Sequence, residues 1–133
     1  MKINTTYKIL ISLLCIGIAL VGFMLKLPVP FRQHDKVLHS AFYFFAAAFF
    51  NILFNKKNVI AHLLIFGLLY GFGMCIEYAQ AYSNKFFTQK IHGRYDPEDV
   101  LANGKGLLLF SAIWLVVISI LQLVTIIKRN NKS

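Results

Sequence analysis

Four long apolar blocks, at 9–25, 37–54, 59–82 and 107–127, leave this chain little choice of environment. A helix needs about 20 apolar residues to cross hydrocarbon, and about 17 suffice. A single domain of 133 residues, 58% of them hydrophobic, has too little polar surface to enclose such blocks in water. The 13 phenylalanines strengthen the point, because many stand side by side, as in Phe44-Phe45 and Phe49-Phe50. Adjacent residues cannot both face inward on one helix, so some of these rings are expected to face lipid. Backbone groups inside a bilayer must satisfy one another, which leaves helices as the spanning form here. The expected fold is an all-α membrane protein: a single domain, 1–133, forming a four-transmembrane-helix bundle of up-down topology. The spans are expected near 8–27, 36–54, 59–82 and 97–127.

The breaks between blocks have physical causes. Pro28 and Pro30 end the first block by removing donors and disfavouring helix before them. Without a small-x-small cleavage site, that block is read as an uncleaved span, not a signal peptide. Asn55-Lys56-Lys57-Asn58 is a short polar turn, and a longer polar stretch covers 83–95. Asp96-Pro97-Glu98-Asp99 has the composition of a helix start: a capping oxygen, a first-turn proline, and carboxylates near the positive dipole end.

The net charge of +9 would suggest nucleic acid in a soluble protein. Here Lys and Arg lie at the ends of apolar blocks, where they anchor helices and meet anionic headgroups. Membrane lipids are the expected partners, and nucleic acid is not. Cys15 and Cys75 have no metal-binding spacing and read as buried thiols. No cofactor or resident metal is expected, with a hard cation on Glu77, Asp96 and Asp99 as a lesser alternative.

Four spans place both termini on one side and the first and third loops together on the other. Lys and Arg divide evenly between the two sides, so the positive-inside rule is nearly silent. All five acids fall on the side of the first and third loops. We therefore expect cytoplasmic termini.

Three polar groups converge on that loop side. Asp35 and His39 are four apart at the start of the second helix, hence on one face. Glu77 and Gln80 are three apart near the end of the third. Asp96, Asp99 and Asn103 lead into the fourth, with Arg94 just ahead. Each has a structural alternative: Asp96 and Asp35 can cap helices, and Lys105 can snorkel. His62 is expected at an interface, apart from the cluster, and His34 and His92 in loops. His39 and Glu77 are harder to dismiss, because an unpaired charge in an apolar run costs several kcal/mol. The expected geometry puts His39, Glu77 and Asp99 within about 10 Å, allowing for bridging water. Arg94 is expected to touch Glu77 or Asp99.

These residues resemble the VanZ-like family of small bacterial membrane proteins. The matching elements are Asp35-Lys36-x-x-His39, Glu77-x-x-Gln80, and Arg94 followed by Asp99-x-x-x-Asn103-x-x-Gly106. The resemblance runs from Asp35 to the last span. It implies a four-helix protein of the bacterial cytoplasmic membrane, in a family whose founding member is linked to teicoplanin resistance. Two departures are a longer stretch between Gln80 and Arg94 and a lysine, Lys105, between Asn103 and Gly106.

Two functions of different class remain open. In the first, the cluster binds or modifies a polar or lipid-linked envelope ligand. Asp35, His39, Glu77 and Asp99 would then do the chemistry, and Gln80, Arg94, Asp96 and Asn103 would hold the ligand. In the second, the protein is a non-enzymatic partner or assembly protein, and the cluster is a structural network. Transport is weaker than either, for want of repeats or broken spans.

Overall fold

The computed structural model describes residues 4–25, 34–55, 57–89 and 94–131. The chain forms α1 (Thr5–Met24), α2 (Asp35–Phe54), α3 (Val59–Ser83), a 3-10 turn (Asn84–Phe86) and α4 (Pro97–Asn130). Among the described residues, four helices are long and apolar enough to cross a membrane, and there is no strand. This is the all-α, multi-pass membrane architecture expected from the apolar blocks. The first helix begins three residues earlier than expected, at Thr5. The proline break at 27–30 and the loop residues Lys90 and His92 lie outside the described residues.

The up-down order is visible in the contacts at each end. At one end, the Lys8 ammonium of α1 donates to the carbonyl of Leu53 in the last turn of α2. A cation suits that position, where helix carbonyls lack intrahelical donors. At the other end, Gln80 of α3 donates to the carbonyl of Phe23 in α1 at 2.7 Å. The α2–α3 turn is held by asparagines. Asn55 Oδ1 accepts from the Asn58 backbone, and Asn58 Oδ1 caps α3 by accepting from Ile60 and Ala61.

Exposed apolar residues line the outside of every span, as lipid-facing helices require. Phe45 is 67% exposed while its neighbour Phe44 turns inward against Phe110, ring centroids 5.7 Å apart. That pair divides as adjacency demands, whereas Phe49 and Phe50 are both half-buried. Cys75 corrects the expectation of two buried thiols: it is exposed on the outer face of α3.

The core forms where α2 meets α4. On α2 the buried residues are His39, Tyr43, Ala47 and Asn51, a single stripe at four-residue spacing. Gly106 of α4 lies against this helix so closely that a Cβ there would stand 2.0 Å from the Ser40 carbonyl oxygen. Ser40 also donates to the carbonyl of Ala102, at 2.7 Å, one turn before Gly106. Ala102 and Gly106 thus form a small-xxx-small contact of the kind that brings membrane helices together. Beyond Ile118 no described residue of α4 is buried.

Gly106→Ala should therefore separate α2 from α4 and destabilise the bundle by about 1–3 kcal/mol, the usual penalty of overpacking. Gly67→Ala, where a Cβ meets nothing within 4 Å, should be neutral. Thermal unfolding of the two variants in detergent checks this; equal melting temperatures would contradict it.

Candidate functional site

The site lies where the start of α2, the end of α3 and the start of α4 share one end of the bundle. His39 is buried and lies in a fixed orientation. Its Nδ1 is 2.8 Å from Asn103 Oδ1, so the ring donates from Nδ1 to the amide oxygen. Asn103, 1% exposed, is itself held, because its Nδ2 and the Tyr43 hydroxyl lie over Gly73. A Cβ at position 73 would come within 2.6 Å of that nitrogen and 2.9 Å of the hydroxyl. A glycine is needed there for the amide to reach His39.

With Nδ1–H committed to Asn103, His39 Nε2 is the ring nitrogen left to meet the acids. Asp35 Oδ1 is 3.6 Å away, beyond hydrogen-bond length. Donor atoms of Asp35, His39 and Asp99 all lie within 4.8 Å of one another. Glu77, 3% exposed, stands within electrostatic range of His39, Asp99 and Asp96. Its Oε2 accepts a long 3.4 Å bond from the Asp96 backbone. Its Oε1, like the buried Tyr43 hydroxyl, has no hydrogen-bond partner among the described residues.

The remaining expected site residues have other tasks. Asp96 caps α4 by accepting from the Glu98 backbone at 2.8 Å, with Pro97 following it. Asp35 occupies the first turn of α2, and among the described residues its side chain caps no backbone N–H; His34 precedes it at the helix boundary. Gln80 points to α1 and bonds Phe23, whose ring lies 5.2 Å from His39. Arg94 is a correction. It is exposed and forms no ion pair with Glu77 or Asp99 among the described residues. It stands three residues before α4 and two before the capping Asp96. The cation that does reach the acidic motif is Lys36, which pairs with Glu98 across the starts of α2 and α4.

His62 lies apart from this cluster, as expected, and is a buried member of a separate polar cluster, in the first turn of α3. Its Nδ1 donates to Asn51 Oδ1 at 2.9 Å, an oxygen that also accepts from Asn55. The Asn51 amide nitrogen donates to the carbonyl of Ala47. His62 Nε2 is 2.9 Å from the Ser111 hydroxyl, which can give its proton either to the ring or to the Leu107 carbonyl. The imidazole stacks on Trp114 at 4.2 Å and 3°. Asn51 could have been found in the sequence, since it falls on the stripe begun by His39. Ser111 and Trp114 carried no such signal.

No protein-family model, curated protein or solved structure matches the chain.

Trp114 is the single tryptophan, so its fluorescence reports on the second cluster alone. His62→Ala should raise Trp114 emission by removing the stacked ring. It should also lower stability by about 1–2 kcal/mol, the loss expected of two membrane-buried hydrogen bonds. His39→Ala should leave the emission unchanged; a change there would mean that the clusters are one.

Proposed function

We propose that this chain is a VanZ-like protein of the bacterial cytoplasmic membrane whose polar cluster binds, and acts on, a polar or lipid-linked envelope ligand. The reading places both termini in the cytoplasm and the cluster at the outer face, and connects the protein with glycopeptide resistance of the teicoplanin type. The observation that carries it is the open bonding at the cluster. Glu77 Oε1 offers an acceptor and Tyr43 a hydroxyl, both buried, in a cluster whose rim is formed by the half-buried Asp35 and Asp96. A buried polar group without a partner costs about 1–3 kcal/mol, so two of them at one place call for something to bond.

The alternative, a purely structural network, describes the His62 cluster well, because the polar atoms of His62, Asn51 and Ser111 are bonded to one another or to backbone. The His39 cluster differs on that point. A ligand hydroxyl or amide meeting Glu77 and Tyr43 would complete the missing bonds. An imidazole and carboxylates close together can move protons to and from such a group.

His39→Ala, Glu77→Gln and Asp99→Asn should each abolish a glycopeptide-susceptibility phenotype at normal membrane abundance. Quantitative blotting of membranes alongside teicoplanin susceptibility provides the check. If all three variants lose abundance in step with phenotype, the cluster is structural and the proposal falls. A reporter fused after Ser133 should be active only with a cytoplasmic substrate.

A further inference from the structure

We propose that Asp35, His39 and Asp99 form a binding site for one first-row divalent cation of the Zn2+ or Mn2+ type, contrary to the sequence-based expectation of no metal. Three independent features support it. The first is geometry. Donor atoms around a single such ion at about 2.0–2.2 Å lie about 3–4 Å from one another. The 3.6 Å between His39 Nε2 and Asp35 Oδ1 is within that range, and all three donors lie within 4.8 Å. The same 3.6 Å is too long for a hydrogen bond, so the arrangement suits a shared ion better than a direct pair.

The second feature is the tautomer. Metal-bound histidines ordinarily donate their other ring N–H to a neighbouring oxygen, which fixes the ring and leaves one lone pair for the ion. Asn103 Oδ1 takes the Nδ1 proton of His39, which leaves Nε2, 3.6 Å from Asp35, as the nitrogen available to an ion. Gly73 makes room for this amide, so the orienting bond depends on a backbone feature of α3 as well.

The third is an orphan carboxylate oxygen. Glu77 is 3% exposed, interacts electrostatically with His39 and Asp99, and has no partner for Oε1. Among the described residues, the nearby cations do not neutralise this group: Lys36 pairs with Glu98, and Arg94 is exposed. An imidazole with two carboxylates favours Zn2+ or Mn2+ over Ca2+, which takes an all-oxygen shell. Three protein ligands leave open positions for water or a ligand oxygen, and Glu77 would accept a hydrogen bond from a water held there.

The cation does not depend on the ligand proposed above and is measured without it. The full chain, purified in detergent through a histidine-free tag and freed of metal with chelator, is titrated calorimetrically with Zn2+ and separately with Mn2+. One ion per chain is expected to bind, for at least one of the two. Asp35→Asn and Asp99→Asn should each weaken it at least about 10–100-fold, the range seen on losing even an outer-shell partner. Asp35 is part-exposed, so its isosteric replacement leaves the fold intact. His34→Ala, at an exposed histidine, should bind as the wild type does. No saturable binding of either ion, or binding undiminished in both aspartate variants, overturns the inference. Loss of the cation in these variants with the glycopeptide phenotype intact would support this inference and count against the function proposed above. A lost phenotype with no cation bound by the wild type would sink this inference alone.

Discussion

The bundle depends on the close approach of α2 and α4 at Gly106. With the Ser40 carbonyl where the Cβ of any other residue would stand, the two backbones touch, and the polar side chains flanking that point have fixed partners. In a bilayer, apolar surface gains little by leaving lipid for protein, so association rests on such packing and on interhelical hydrogen bonds. Both occur here within two turns: Ser40 to Ala102, the Gly106 contact, and His39 to Asn103. Because Gly106 and Asn103 are three apart on α4, the backbone contact sets the height and rotation at which Asn103 meets His39.

The two histidine clusters use the same residue types toward different ends. Around His62, the amide of Asn51, the hydroxyl of Ser111 and the ring nitrogens match donor to acceptor, and Trp114 covers one face of the imidazole. Such a set is rigid and complete. Around His39, only one ring nitrogen is fixed, and a hydroxyl and a carboxylate oxygen are left over. Acidity differs as well. The His62 cluster has no carboxylate among its described partners, whereas three acids surround His39. An acidic, incompletely bonded site at one end of a bundle and a neutral, closed one farther along it fit a division between binding and scaffolding.

Much of the fold was legible because hydrophobic length is a coarse and robust signal. The apolar blocks located all four helices, and Pro97 with Asp96 marked the start of α4 to the residue. The convergence of His39, Glu77 and Asp99 followed from topology, since alternating spans bring those ends together. Counting could not show which way each polar side chain turns. Gln80 turns to α1, and Arg94 is exposed ahead of α4, because neither backbone position is inside the α2–α4 contact. His62 stands apart from the cluster as expected, but its partners Asn51 and Ser111 belong to other helices, and one sequence displays no such pairing. Tyr43, on the same stripe as His39, was overlooked because an aromatic residue in an apolar run reads as core.

α1 stands apart from the other three helices energetically, yet it completes the site. Ser12 is its single buried residue, and the rest of its described length faces outward or is half-covered. It is held at its two ends, by Lys8 on the Leu53 carbonyl and by Phe23. The Phe23 ring packs edge-on against Phe42 at 4.9 Å and also lies against His39 and Tyr43. An element with few buried contacts opens at low free-energy cost compared with the core. The same element covers the imidazole whose Nδ1 edge is fixed by Asn103. Among the described residues, α1 covers the polar interior on this side through the Phe23 ring and the Gln80 hydrogen bond, while α2, α3 and α4 approach one another at Gly106 and Gly73. The cover of the polar groups and their geometry are thus set by different helices.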